Sequence, residues 1–241
     1  MASRFPTTQW SVVLAARGEA GTEANDALAA LCRAYWFSTY AFIRRHGHDA
    51  DAARDLTQEF FTELLAGRLL QPVDRSKGRF RAFLLASLEN FLSHQREKAR
   101  ALKRGGGTVT ISLDERDAEG RYRREPVERL TPEQVFERRW GLTVMERAME
   151  RLEAESGQPA THFERLRRHL TGVEPHQSYR ETAAELGISE GALKTAVHRL
   201  RRDYGRLLRA EIAETLADPA ELDAELRHLL AVIQPWAGGA E

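Results

Sequence analysis

Apolar positions recur at helical rather than strand spacing along most of the chain. Leu28, Leu31, Tyr35 and Phe42 mark one helix over 26–45, and Leu56, Phe60, Leu64 and Leu65 a second over 51–66. Phe80, Phe83, Leu84, Leu88, Phe91 and Leu92 mark a third over 79–103, while Gly47, Gly67 and Pro72 punctuate the connections. The stretch 108–112, Thr-Val-Thr-Ile-Ser, is the exception, with strand-like alternation. Gly105-Gly106-Gly107 then opens a polar, charge-mixed stretch to about Leu130 that has linker composition. A second helical block begins at Thr131-Pro132-Glu133, where Thr suits an N-cap and Pro the first helical position. The pattern predicts an all-α protein: two small helical domains, 1–104 and 131–210, joined by a polar linker over 105–130. A helical extension over 211–241 follows.

The sharpest local pattern lies in the second domain. Ser178-Tyr179-Arg180-Glu181 has the form of a capping box. It opens a short helix with Thr182, Ala183 and Leu186 inward. Gly187 suits a left-handed turn, and Ser189 can cap a second helix with Leu193, Ala196, Val197 and Leu200 inward. This is the sequence of a helix-turn-helix: small Ala183 permits a close crossing, and Leu186, Ile188 and Leu193 are expected to lock it. The outward face of the second helix then carries Lys194, Thr195, His198, Arg199, Arg201 and Arg202, donors suited to phosphates and base edges.

Charge sharpens the picture only when taken by segment. The whole chain carries 36 Lys+Arg against 36 Asp+Glu. Residues 74–104 hold nine basic and three acidic residues, net +6, and residues 190–209 hold six and two, net +4. Opposed to them, 49–63 is net −4 and 211–241 is net −6. Two basic blocks on separate helices match two separate phosphate contacts. With 42% hydrophobic residues the chain can build cores and is not a disordered polyelectrolyte. No apolar run is long enough to span a membrane, and the first residues lack the apolar stretch of a secretion signal. A cytoplasmic protein is therefore expected. Cys32 is the single cysteine, His46-Gly47-His48 has no third ligand nearby in sequence, and no catalytic or nucleotide-binding motif occurs. We expect no enzyme, no cofactor and no metal site.

In the first domain, the acidic run Asp55-Leu56-Thr57-Gln58-Glu59-Phe60-Phe61 precedes Lys77-Gly78-Arg79-Phe80-Arg81-Ala82-Phe83 and a basic helix. In this order, followed by the helix-turn-helix over 178–203, the chain resembles the bacterial sigma-70 family, specifically its short extracytoplasmic-function (ECF) type. The start Phe5-Pro6-Thr7-Thr8-Gln9-Trp10 is similar to that of an ECF-like subgroup. The resemblance implies a sigma factor that binds core RNA polymerase and directs promoter recognition, DNA melting and initiation. It assigns polymerase docking, on the β′ coiled coil, to Asp55, Gln58, Glu59 and Glu63, with β as a further subunit partner. It assigns the −10 element to Arg75, Lys77, Arg79, Phe80, Asn90, Arg96, Lys98 and Arg100. The −35 element falls to Ser189, Lys194, Thr195, His198, Arg199, Arg201 and Arg202. It admits an anti-sigma factor as a regulator. The chain departs from the family at His94 and around Leu152-Glu153-Ala154-Glu155, so promoter sequence does not carry over from other members. The alternative is a conventional helix-turn-helix regulator that binds operator DNA without polymerase.

Linker and tail extend this reading. About 30 residues of flexible coil average roughly 30 Å end to end and stretch to roughly 100 Å, too loose to fix the spacing of two DNA elements. Polymerase is then the expected ruler, and the free protein should bind promoters weakly. The tail breaks at Asp218-Pro219, and Leu222, Leu226, Leu229, Leu230 and Ile233 suit one more helix. Most simply it packs on the second domain as an extra helix; the sharper alternative is that its acids compete with DNA for the basic face of the recognition helix.

Overall fold

The computed structural model describes residues 22–66, 69, 79–101, 119, 122, 130–170, 178–216 and 218–233, with the side chains at 22–33, 65 and 99–101 outside the description. Eight α-helices and no strand occur among the described residues: α1 Thr22–Arg45, α2 Ala50–Leu65, α3 Phe80–Ala101, α4 Pro132–Ser156, α5 Ala160–Arg167, α6 Tyr179–Leu186, α7 Glu190–Ala213 and α8 Leu222–Ile233. No described helix is long and apolar enough to cross a membrane. The strand-like stretch 108–112 lies outside the described residues.

Helix starts follow the chemistry of the caps. The Asp49 carboxylate accepts from the Ala52 N–H at 2.8 Å at the head of α2. Thr131 and Gln134 cap α4 reciprocally, each side chain accepting the other's backbone N–H. Asp218 caps a 3-10 turn, Pro219–Glu221, that leads into α8. Each arrangement satisfies backbone donors that the first helical turn leaves without partners.

The chain divides into two units, residues 1–143 with 213–241, and residues 144–212. This differs from the expected boundaries in two ways. The first half of α4 belongs to the first unit, and so does α8, which was expected on the second. The linker differs too. Glu119 accepts from Tyr40 (2.7 Å) and twice from Arg44 (3.0 and 2.9 Å), Tyr122 lies under the Arg44 guanidinium, and Arg45 donates to the Leu130 carbonyl. These residues are bound to α1, not free coil.

The first unit has an aromatic core. Tyr35, Tyr40, Phe42, Phe60, Phe80, Phe136 and Trp140 are essentially inaccessible. Phe80 meets Tyr35 edge-on at 5.4 Å, Phe60 meets Phe91 at 5.6 Å, and the Trp140 indole N–H donates to the Tyr35 hydroxyl at 3.1 Å. Large rings with satisfied polar tips bury much surface from few positions. The second unit is aliphatic by comparison, built on Leu152, Phe163, Leu166, Leu193, Val197, Leu207 and Ile212. Its one buried carboxylate among the described residues, Glu211, is held by Arg151 (2.7 Å) and Arg147 (3.3 Å).

Candidate nucleic-acid interface

The helix-turn-helix forms as its residues dictate. The Ser178 hydroxyl accepts from the Glu181 N–H, and the Glu181 carboxylate accepts from the Ser178 N–H at 2.8 Å, closing the capping box. These bonds hold the Glu181 carboxyl below its usual range. Gly187 takes φ +67°, ψ 27°, and the Ile188 N–H donates back to the Ala183 carbonyl at 3.0 Å, a Schellman-type ending that favours glycine. Thr182, Ala183, Leu193, Val197 and Leu200 form the buried seam. One expectation needs correcting: Ile188 does not lock the crossing, because it is 41% exposed. Leu186 and Ala196 are half-buried.

With that seam inward, Lys194, Thr195, His198, Arg199, Arg201 and Arg202 all face out, and Ser189 caps α7 through the Ala192 N–H. The cations are tied lightly. Lys194 pairs with Glu190 one turn earlier at 2.7 Å, which raises its pKa, and Arg202 reaches Asp203 at 3.4 Å. Such exposed pairs are worth little and exchange readily for phosphate. Arg201 donates to the His169 carbonyl at 2.6 Å, so it braces α5 against α7 as well as facing out.

On α3 the candidates scatter. Arg75 and Lys77, and the side chain of Arg100, lie outside the described residues. Asn90, Arg96 and Lys98 are exposed along the helix, and Arg96 sits 3.3 Å from the His46 ring. Burial and the Arg96 charge together lower the His46 pKa. Phe80, one of the residues assigned to the −10 element, is wholly buried and meets Tyr35 edge-on. Arg79 is half-buried and already paired, to Glu225 at 2.9 Å and Glu221 at 3.3 Å.

Arg81, not singled out in the sequence, is the centre of this cluster. It donates to both oxygens of Glu225 (2.6 and 3.3 Å), pairs with Glu137, and lies over the Trp140 ring at 5.1 Å. Burial opposes its charge, but the hydrogen-bonded Glu225 and the nearby Glu137 outweigh that and raise its pKa. Two of the tail acids, Glu221 and Glu225, thus meet Arg79 and Arg81 within the first unit. The partners lie more than 140 residues apart, and no local pattern announces them.

On the acidic helix α2, Asp55 is exposed and Glu63 half-exposed. Glu59 is half-buried and accepts from Gln95 of α3 at 2.5 Å. Gln58, also assigned to polymerase docking, is an inward residue, buried like its neighbour Thr57 and like Phe61. No group of three or more metal-ligand side chains gathers among the described residues. The family model for the ECF sigma factor matches residues 43–210 of the chain. No curated protein and no solved structure matches it.

Proposed function

The chain belongs to the ECF sigma factor family, and from that premise we propose how its two units divide the work of promoter recognition. A sigma factor is a regulatory subunit rather than an enzyme, and its role is promoter-directed transcription initiation with core RNA polymerase and promoter DNA as partners. In our reading α7 enters the major groove of the −35 element. Lys194, Thr195, His198, Arg199 and Arg202 meet base edges and phosphates while Ser189 fixes the helix head. The observation that carries this is the helix-turn-helix itself: a capped α6, a glycine turn and a buried seam that turns every one of those side chains outward.

The −10 function falls to α3 and the connection before it. Asn90, Arg96 and Lys98 lie exposed on the helix, and Arg75, Lys77 and Arg79 precede or open it. Melting needs cations on the backbone and a surface for unstacked bases. With Phe80 buried, the apolar part of that surface is not Phe80. Polymerase docking uses the rim of α2, exposed Asp55 with half-buried Glu59 and Glu63, above a core of Phe60, Phe61 and Leu64 that positions it. An anti-sigma factor competing for either face belongs to the same proposal.

Run-off transcription with core polymerase and a promoter library is the direct test. The full chain should confer initiation at a defined set of start sites. Asp55→Lys with Glu63→Lys should abolish it while leaving binding of a duplex by α7 unchanged. A chain that binds duplex DNA but never supports initiation would instead be a helix-turn-helix regulator working without polymerase.

A further inference from the structure

The tail acids and the first turn of α3 form a graded ion cluster inside the first unit. At its inner end, Glu225 is 0% exposed and Arg81 5%, joined by two hydrogen bonds. At its outer end, Arg79 is 30% exposed and bridges Glu225 and the rim carboxylate Glu221, itself 43% exposed. The chain from α7 into α8 also caps α3, because the Phe80 N–H donates to the Thr215 carbonyl at 3.3 Å. At the far end of α8, Arg138 donates to the carbonyls of Val232 and Ile233. Midway, His228 meets Glu137 at 2.9 Å. Leu229 is the one apolar side chain of α8 that is fully buried, and Leu230 is 43% exposed. Polar contacts thus run along α8 beside its apolar packing.

A carboxylate and a phosphodiester offer a guanidinium the same charge and the same acceptor geometry. Arg79 opens the helix assigned above to the −10 element, yet two carboxylates already occupy it. From this geometry we propose that α8 is a tethered acidic competitor for the DNA backbone. Glu221 masks Arg79 from phosphate in the free protein, and Glu225, locked to Arg81, anchors the mask. The proposal rests on the reading of α3 as a DNA-facing helix. It makes binding by this unit conditional: a phosphate gains Arg79 only when Glu221 gives way. Because the anchor is buried and the rim is exposed, the rim carboxylate can exchange without unfolding the unit.

The test uses the full chain and a labelled 20-nucleotide single strand of mixed sequence, which a helix-turn-helix reading duplex DNA does not favour. Glu221→Gln should raise affinity and steepen the dependence of log K on log salt by about 0.7, the contribution of one single-strand phosphate contact. In the double variant with Arg79→Ala the gain should vanish. Gly141→Ala supplies an independent lever that leaves every charge in place. A Cβ there would meet the Ile233 Cγ2 at 2.9 Å and press on the end of α8, so it too should raise binding in an Arg79-dependent way. If Glu221→Gln changes nothing while Arg79→Ala weakens the native chain, masking is overturned and the α3 reading stands. If Arg79→Ala has no effect in either background, Arg79 is not a DNA contact, and the α3 reading falls at this residue together with the mask. A gain from Glu221→Gln that survives Arg79→Ala is a general charge effect and also overturns the mask.

Discussion

Two helices carry the basic blocks of this chain, and they use their charge in opposite ways. On α7 the cations stand on the outside of a buried aliphatic seam, some in exposed pairs such as Lys194–Glu190 and Arg202–Asp203, and Arg201 on the His169 carbonyl. At the head of α3, Arg79 and Arg81 turn inward or sideways, into the carboxylates of Glu137, Glu221 and Glu225. Both blocks look alike as counts of Lys and Arg. The difference lies in desolvation: a buried charge persists only when partnered, whereas an exposed one stays available. Net charge by segment therefore does not separate a cation held in a buried cluster from one on an exposed face.

The largest difference between the two helices lies at Arg81. Arg81→Ala leaves Glu225 buried with less compensation and should cost about 3–5 kcal/mol in the first unit. Trp fluorescence in a urea titration checks this, because Trp140 lies under Arg81. Arg81→Met with Glu225→Leu should recover most of the loss, since well-packed apolar residues often replace a buried pair without penalty. A loss no larger than that of a surface arginine would erase the contrast between the two helices. On α7 the same chemistry should cost binding and not stability. Arg199→Ala or Arg202→Ala should flatten the salt dependence of duplex binding by about 0.9 for each phosphate contact removed, with thermal unfolding unchanged. Arg79→Ala should move that slope less, because its carboxylate partners already hold it.

How legible all this is in the sequence depends on the range of the interactions. Helices α2, α3 and α4 and the helix-turn-helix are set by spacing and caps within a few residues, so periodicity and the Ser178–Glu181 box point to them directly. The outward face of α7 follows from its inward one. The burial of Phe80 and Gln58 does not follow from spacing, because a helix pattern fixes which residues share a face but not how many rows are covered once a third element packs on. Phe80 is covered by Tyr35 of α1, and Gln58 falls inside the packed face of α2. Glu119 on Tyr40 and Arg44, and Glu225 on Arg81, join residues 75 to 144 positions apart. Nothing local distinguishes those acids from solvated ones. Ile188 errs the other way: a turn glycine places its neighbour, and here the neighbour points to solvent.

Smaller effects sharpen the same contrast within the second unit. Ser178→Ala removes the cap that starts α6 and should cost about 1 kcal/mol, lowering the unfolding midpoint without changing the exposed face of α7. The smallest expected effect is one of pH. His169 lies between α5 and α6, 4% exposed, with its Nε2 2.9 Å from the Thr182 hydroxyl, its ring 4.4 Å from Tyr179, and Arg201 donating to its carbonyl. Burial first, and the Arg201 charge second, lower its pKa below 6.5 in the folded state. The unfolded chain therefore takes up this proton at higher pH than the folded one, and acid favours unfolding. The stabilisation is complete above about pH 6.5 and falls as the pH drops toward the lowered folded value. All four tryptophans lie outside 144–212, so circular dichroism follows both units and Trp fluorescence only the first. Between pH 7.5 and 5.5 the midpoint read by circular dichroism should fall. His46 and His48, also lowered by burial and Arg96, add an acid response that Trp fluorescence reads separately. His169→Gln should flatten the part that fluorescence does not see. An unchanged profile in that variant would mean that the base of the recognition helix, unlike the Arg81 cluster, is indifferent to the charge buried beneath it.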